Sequence, residues 1–434
     1  MLASATILQR FCRARGGKII LALEPAYLGL LKQLGEPHKK IPPVIHVAGT
    51  NGKGSVCAFL RAMLEAAGCK VHVYTSPHLV RFHERIRVAG ELISEEELAE
   101  ILSHIESLAA PGKVSDFEAG TAAAFVAFAR HKADVAILET GMGGRLDATN
   151  VIEKPLATVI TRLSFDHREY LGDTLTLIAR EKAGIMRANA PCFTAMQPAA
   201  ESLETLRAAA NEKSAPLFIG GTNWRVAPCD NGFHFEDSTR TLDLPLPALP
   251  GTHQIENACL AIAALSALPE PIPPQAIARG LQTVEWPARL QKITTGALFE
   301  LLPPGWQLWL DGGHNDSAGA ALAAEAARWR AVDHCPLHLV FGMLATKNPP
   351  EFLAPLAPFV ASLRAVAIPG ETPAFVPADL AQAARDAGIA DAAASTGVPQ
   401  ALTELATGAP GRILICGSLY LAGHVLRLNG NKAL

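Results

Sequence analysis

The segment His46-Val47-Ala48-Gly49-Thr50-Asn51-Gly52-Lys53-Gly54-Ser55 constrains the fold of this chain more than any other stretch. A short apolar run, Val44 to Ala48, meets a glycine-rich turn, and from about Gly54 to Ala67 the residues Val56, Phe59, Leu60, Met63 and Leu64 keep helical spacing. Strand, glycine loop and helix in that order suit a phosphate: backbone N–H groups and the helix N-terminus face the anion, and Lys53 adds a cation. The strict pattern would need glycine at Val47 and a hydroxyl at Gly54; here Ser55 supplies the hydroxyl one place later. The plainer reading of the same residues is a glycine turn that caps a helix.

Alternation continues downstream. Val71 to Thr75 reads as a strand, Glu95 to Leu108 and Gly120 to Arg130 as helices, and Val135 to Glu139 as a buried strand ending in an acid. Ala157 to Leu163 is a further expected strand and Leu175 to Ile185 a further helix. Such order favours a mainly parallel sheet covered on both faces, with ligands at the carboxyl ends of the strands. Gly49, Ser76, Glu139 and Asp166-His167 each follow on or end an expected strand. Prolines 245, 247 and 250 precede an expected helix from about His253 to Ala267, and prolines 271, 273, 274 and 287 follow it. A second alternating unit then begins, with strands expected at Leu308–Leu310, Leu337–Phe341, Ala365–Ile368 and Ile413–Cys416 and an Ala-rich helix at Ala318–Trp329. The boundary falls near Glu285, giving regions 1–284 and 285–434.

Composition narrows the function. A chain of 434 residues, 49% hydrophobic and 18% charged, is a folded protein with room for two domains. A net charge of −3 offers no basic field for a polyphosphate backbone, which argues against nucleic acid as a partner. The eight cysteines have no metal-ligand spacing and read as reduced thiols in the cytoplasm. No uninterrupted apolar stretch is long enough for a membrane span. Arg10, Arg13, Arg15 and Lys18 precede the first acid, Glu24, as in an organelle transit peptide; Leu8, Phe11, Leu28, Leu30 and Leu31 equally fit amphipathic helices.

The loop spelling G-T-N-G-K-G-S resembles that of the folylpolyglutamate synthase family, within the Mur ligase superfamily, whose other members use a G-T-x-G-K-[ST] form. The resemblance runs through Tyr74-Thr75-Ser76-Pro77-His78-Leu79, His83-Glu84-Arg85-Ile86, Asp116-Phe117-Glu118 with Thr121, Glu139-Thr140-Gly141-Met142-Gly143-Gly144-Arg145-Leu146-Asp147-Ala148-Thr149-Asn150, Asp166-His167 and Glu181-Lys182-Ala183-Gly184-Ile185. It continues in Gly251-Thr252-His253-Gln254 with Asn257, Pro287-Ala288-Arg289-Leu290, Asp311-Gly312-Gly313-His314-Asn315 and Gly417-Ser418-Leu419-Tyr420. The motifs look like those of the bacterial members that combine dihydrofolate synthase and folylpolyglutamate synthase activities.

The resemblance implies an α/β, Mur ligase-like fold: an N-terminal P-loop ATPase domain with a mainly parallel sheet, and a smaller C-terminal Rossmann-like domain for glutamate ligation. It implies ATP-dependent amide formation between the carboxylate of dihydropteroate or tetrahydrofolate and the amine of L-glutamate, through an acyl phosphate, by a monomer. ATP is then held by Gly49, Thr50, Asn51, Gly52, Lys53, Gly54 and Ser55 together with Asn257, Arg289, Asp311 and His314. Two Mg²⁺ sites are implied, one on Ser76 and Glu139, the other on Glu139, His167 and a CO₂-derived carbamate of Lys182. Lys53, His167 and Lys182 are the implied catalytic residues, and the pterin substrate is placed near Ser115, Asp116, Phe117, Glu118, Leu146, Asp147 and Ala148.

On the residues alone several of these remain open. Glu139 could be a strand-end acid facing water, His167 an ordinary loop histidine, Phe117 a core aromatic, and Lys182 a solvated lysine beside Arg180 and Glu181. Three positions depart from the family pattern: Gly313 stands for an alanine, Ala288 for a glycine, and Ala345-Thr346-Lys347-Asn348 for a more acidic run, to which no role is assigned. A folylpolyglutamate synthase without dihydrofolate synthase activity, a Mur-type peptidoglycan ligase, with a domain ahead of its P-loop, a P-loop ATPase without ligation, and a Rossmann dehydrogenase built on Gly141, Gly143 and Gly144 are the competing readings. The glycine spacing of the last fails the dinucleotide pattern.

Overall fold

Short apolar segments with buried side chains on both faces need a sheet covered by helices, and the computed structural model, which describes residues 2–16, 22–370 and 373–430, has that architecture. The first sheet contains β1 (Val44–Ala48), β2 (Val71–Tyr74), β3 (Ile86–Val88), β4 (Glu91–Leu92), β5 (Val135–Glu139), β6 (Ala157–Ile160), β7 (Cys192–Thr194) and β8 (Leu217–Ile219). Their order is β4-β3-β2-β5-β1-β6-β7-β8. The six strands from β2 to β8 in that order are parallel, and β3 and β4 add an antiparallel edge. All five residues of β1 and of β5 are buried, as central strands of a two-sided sheet must be.

Two of the sequence expectations in this region shift. The helix expected from Gly120 begins at Asp116, because Ser115 and Glu118 form a capping box that starts it a turn earlier. The strand expected to reach Leu163 ends at Ile160. A small antiparallel sheet, β9 (Trp224–Cys229), β10 (Gly232–Asp237) and β11 (Thr241–Pro245), was not anticipated. Its sequence signals are the alternation of Phe233 and Phe235, then Leu242 and Leu244, all buried, and a tight turn at Asp230-Asn231 before Gly232.

The third sheet holds β12 (Gln291–Ile293), β13 (Gln307–Leu310), β14 (Leu337–Phe341), β15 (Val360–Ala365), β16 (Ala392–Ala394) and β17 (Arg412–Cys416) in the order β12-β13-β17-β14-β15-β16, parallel except at β12. The strand expected at Ala365–Ile368 lies upstream instead. Ser362 and Arg364 interrupt the apolar run that marks a buried strand, and Val366 makes only a last backbone bond to Phe341. The Ala-rich helix spans Asp316–Asp333, longer than expected at both ends.

The chain divides into two compact units: 1–163, 167–248 and 254–284 form one, and 164–166, 249–253 and 285–434 the other. In the first, Phe125, Phe128, Leu98, Ile101 and Leu138 are among the residues of a core on one side of the sheet, and Ile160, Ile185, Met186 and Leu206 belong to a further cluster. In the second, Trp329, Phe341, Phe352 and Leu414 anchor the core.

The basic N-terminus is built into the first unit. The helix Ala3–Ala14 buries Ile7, Leu8 and Phe11, Arg10 pairs with Glu106 at 2.6 Å, and Arg15 pairs with Glu24 at 2.9 Å and Glu118 at 3.0 Å. Lys18 lies outside the described residues. Among those residues no helix is long and apolar enough to cross a membrane, and all eight cysteines are free thiols.

Candidate functional site

Three adjacent strands, β2, β5 and β1, end side by side. Val47 is in register with Glu139 and Tyr74 with Leu138, so the segments that begin at Ser76, Glu139 and Gly49 leave the sheet together at its carboxyl edge. Glu139 is 4% exposed, which excludes an acid facing water, and one carboxylate oxygen accepts the Ser76 N–H at 3.2 Å.

The glycine loop connects β1 to the helix Lys53–Ala66. Gly49 has φ +146°, and a Cβ there would lie 1.9 Å from Thr161 Oγ1; Gly52 has φ +89°, and its Cβ would lie 2.4 Å from Asn257 Oδ1. Both positions therefore require glycine. Thr50 and Asn51 donate their N–H groups to the Arg162 carbonyl at 3.2 Å, which fixes the loop over β6. Lys53 Nζ turns back to the carbonyls of Gly49 at 3.2 Å and Thr50 at 3.3 Å. Ser55 Oγ, in the first turn of the helix, is buried with no hydrogen-bond partner, as are Thr140 Oγ1 and Thr161 Oγ1 on the flanking strand ends. A buried hydroxyl left unmatched costs on the order of 1–3 kcal/mol. Three of them on the segments that leave neighbouring strands beside the glycine loop are donors that a bound ligand or water can complete.

Lys182 corrects the plain reading of the sequence: it is 3% exposed, not solvated. It occupies the inward face of the helix Leu175–Ala183 with Ile178, Ala179 and Ala183. The loop after β5 is fastened to the end of that helix. Arg145 N–H donates to the Glu181 carbonyl at 2.8 Å, Arg145 pairs with the Glu181 carboxylate at 2.8 Å, and Asn150 Nδ2 donates to Gly184 O at 3.2 Å. His167 is the residue before the short helix Arg168–Leu171 and has left-handed backbone, φ 50°.

The residues expected near a pterin fall in two groups. Phe117, in the first turn of the helix Asp116–Arg130, is half-buried and packs its ring edge on Gly141, where a Cβ would come within 2.4 Å; its ring centroid is 6.3 Å from that of Tyr74. Burial pushes the Tyr74 phenol up to about 12, against opposing effects of Arg85 and Thr121. Glu118 accepts Ser115 N–H and Oγ–H, both at 2.8 Å, besides its bond to Arg15. Asp147 is 4% exposed and its oxygens accept from Gly141 N, Met142 N, Thr149 N and Thr149 Oγ1 at 2.6–3.0 Å. These four bonds fill its acceptor sites, so Asp147 shapes the loop that carries Leu146 and Ala148. Burial raises the Asp147 carboxyl while those same hydrogen bonds oppose the shift. The network reaches β1: Thr149 donates to Asp147, so His46 Nε2 donates to Thr149 at 2.8 Å, and burial holds His46 neutral at about 3.

In the second unit Asp311 follows β13 directly and accepts Leu290 N–H at 2.7 Å and Gly313 N–H at 2.6 Å; Arg289 donates to Ala288 O at 2.9 Å. His314 Nδ1 faces Gly312 O at 2.9 Å, and its Nε2 lies 3.6 Å from Asp166. Lys347, in the loop to which no role was assigned, forms an ion pair with the same Asp166. Its signal was its isolation, a single cation in an uncharged loop after the buried strand β14.

Ser76, Glu139 and Ser55 offer the hard oxygen donors that a small divalent cation prefers, so the residues present fit a magnesium-class ion. Among the described residues no three His, Cys, Asp or Glu side chains converge as a metal cage.

Comparison with known proteins places this arrangement. The Mur ligase middle domain model matches residues 47–265. The dihydrofolate synthase/folylpolyglutamate synthase of Bacillus subtilis is 39% identical over 356 residues, which cover 76% of this chain and 78% of that protein. The chain belongs to the folylpolyglutamate synthase family. Its fold matches that of Escherichia coli FolC in complex with DHPP and ADP, with a TM-score of 0.87 and 33% identity, covering 98% of this chain and 97% of the other. A bifunctional folylpolyglutamate synthase/dihydrofolate synthase with Mn, AMPPNP and L-glutamate bound gives a TM-score of 0.83 at 32% identity, covering 97% of both chains. The Mur ligase-like α/β fold expected from the sequence is therefore established.

Two departures from the family pattern acquire physical meaning. Ala288, where the family resemblance leads one to expect glycine, has φ 55°, a left-handed conformation that glycine adopts freely and alanine at a cost of about 1 kcal/mol. Gly313, where alanine was expected, has no room for one without a shift: a Cβ would stand 2.8 Å from both Ala318 Cβ and Asp311 Oδ1.

Proposed function

We propose that the carboxyl edge of the first sheet is the phosphoryl-transfer centre of an ATP-dependent ligase that joins dihydropteroate, or a tetrahydrofolate, to L-glutamate. The observation that carries this reading is the conjunction of a glycine loop and helix N-terminus bearing the unmatched Ser55 hydroxyl with the buried Glu139 held to Ser76. Family membership supplies the ligase chemistry.

The pterin carboxylate attacks the γ-phosphate of ATP in line and ADP departs, leaving an acyl phosphate. The amine of glutamate then attacks the acyl carbon, loses a proton, and expels inorganic phosphate as the amide forms. Lys53 leaves the Gly49 and Thr50 carbonyls and takes phosphate oxygens instead, and the N–H groups at the helix start stabilise the same charge. Asn257, Arg289, Asp311 and His314 hold the nucleotide. Phe117 supplies a stacking face for the pterin or benzoyl ring, with Ser115, Asp116, Glu118 and the Leu146–Ala148 loop around it.

Magnesium, when bound, offsets the charge that accumulates on the transferring phosphoryl group; Ser76 and Glu139 would hold one ion, and Glu139, His167 and a carbamate on Lys182 a second. The burial of Lys182 supports the carbamate, because only an unprotonated amine reacts with CO₂ and desolvation disfavours the ammonium form. The protein works as a cytoplasmic monomer, with residues 1–284 as the P-loop domain that supplies most of the ATP-binding residues and 285–434 as the glutamate ligase domain.

The test is phosphate release with Mg-ATP and glutamate, with and without dihydropteroate or tetrahydrofolate. Release should require a pterin and should disappear in Lys182→Ala, without recovery in high bicarbonate. Pterin-independent release would instead indicate a P-loop ATPase that does not ligate. Full activity in Lys182→Ala would remove the carbamate from the scheme.

A further inference from the structure

The loop from His78 to Arg87 lies beside this site, and the scheme above gives it no work. It carries Arg81, Arg85 and Arg87 against a single acid, Glu84, in a chain of net charge −3. Glu84 is consumed by the backbone: its oxygens accept the N–H groups of Leu79, Val80 and Arg81 at 2.8, 2.9 and 2.6 Å. It orders the loop and neutralises neither of the neighbouring guanidinium groups. Arg87 lies further along, on β3, and donates to Gly90 O at 3.2 Å.

Arg85 is fixed with unusual thoroughness for an arginine without a carboxylate partner. Its carbonyl accepts the Thr75 N–H at 2.9 Å, its Nε donates to His78 Nδ1 at 3.0 Å, and its guanidinium carbon sits 4.8 Å from the centroid of the Phe82 ring. Phe82 in turn packs on Gly120, where a Cβ would meet the ring at 2.5 Å, in the helix that carries Phe117. The guanidinium also faces the Tyr74 phenol, which neighbours Phe117. Arg85 thus lies against Thr75, the residue before Ser76, and against Tyr74, whose ring neighbours that of Phe117. Among the described residues neither Arg81 nor Arg85 is paired with a carboxylate of this chain. A pre-ordered guanidinium on an aromatic face, with its outer N–H groups uncommitted to an acid, is a receptor for a planar anion.

The substrates of the proposed reaction differ in one such anion. Dihydropteroate has a single carboxylate, the reacting one on its benzoyl ring. A substrate that already ends in glutamate reacts through its side-chain carboxyl and keeps an α-carboxylate a few bonds behind. We infer that Arg85, assisted by the exposed Arg81, binds that α-carboxylate and sets the preference for glutamylated over unglutamylated substrate. This rests on the ligase reading of the site, and it makes the two arginines specificity-determining residues.

The experiment measures kcat and KM with tetrahydrofolate and with dihydropteroate for the wild type, Arg85→Gln, Arg85→Lys and Arg81→Gln. Arg85→Gln should raise the KM for tetrahydrofolate about tenfold relative to that for dihydropteroate, the size of one lost charge-assisted hydrogen bond. Arg81→Gln should shift the same ratio about threefold, as an exposed charge does. Arg85→Lys should recover part of the ratio, because the cation returns without the fork. A purely structural role for Arg85 predicts an equal loss on both substrates, and that result, or an unmoved ratio in every variant, would overturn the inference while leaving the ligase intact. Failure of the wild type with both pterins would overturn the ligase reading and the inference together, whereas turnover of dihydropteroate alone would overturn the inference and leave the ligase.

Discussion

The two large sheets end in different ways. At the carboxyl edge of the first, the hydroxyls of Ser55, Thr140 and Thr161 are buried and unmatched, and Lys53 rests on its own loop carbonyls. At the corresponding edge of the other, Asp311 accepts two backbone N–H groups and Ser418 Oγ accepts the N–H of Tyr420 at 3.1 Å. Similar parallel architecture thus serves two purposes. At the first edge three unmatched hydroxyls gather about the glycine loop, whereas at the second Asp311 and Ser418 are satisfied within the chain and Ser395, after β16, keeps the one unmatched hydroxyl next to a strand end among the described residues.

Substitutions at matched positions can break this contrast. The largest effect is expected for Gly49→Ala, whose methyl group has no space beside Thr161; ligase turnover should fall to background and nucleotide binding should be lost by calorimetry. Retained binding would mean that the loop can move aside and is not pre-shaped. Next, Ser55→Ala should cost activity about a hundredfold, the equivalent of one strong charge-assisted hydrogen bond, while urea stability stays level or rises because an unmatched hydroxyl is removed. Ser418→Ala should do the reverse, losing about 1 kcal/mol of stability as a helix cap is lost. Equal stability losses in the two alanine variants would erase the distinction.

The first unit should also carry a pH signature. His46 has its folded pKa lowered from 6.5 to about 3, so below pH 6.5 the unfolded chain takes up a proton that the folded chain refuses. Stability should fall as pH drops through that window, by about 2 kcal/mol between pH 6.5 and 5. His46→Gln should flatten the slope of urea stability against pH; an unchanged slope would assign it to the other histidines lowered by burial, such as His72 and His338. The smallest expected effect is in the second unit, where Ala288→Gly should raise stability by less than about 1 kcal/mol, the left-handed strain being relieved and partly offset by the extra freedom of glycine in the unfolded chain.

How much of this was legible in the sequence depended on the kind of signal. β1, β5 and β14 matched their apolar runs because central parallel strands are buried on both faces. β15 was misplaced because Ser362 and Arg364 hide its pattern, and β9 to β11 were overlooked because a half-exposed hairpin alternates weakly. Among candidate site residues, the Gly49–Ser55 loop could be read locally. Lys182 could not, since helical neighbours such as Arg180 and Glu181 say nothing about which face is buried. Lys347 and the His46–Thr149–Asp147 chain depend on contacts between distant segments, which no local spacing records.

The Arg15–Glu118 pair ties the first helix of the chain to the one that presents Phe117. A stretch whose charge resembles that of a transit peptide is therefore braced against the helix proposed to stack the pterin, and trimming the first fifteen residues should leave Glu118, 103 positions away, without its arginine and cost the fold the burial of Ile7, Leu8 and Phe11.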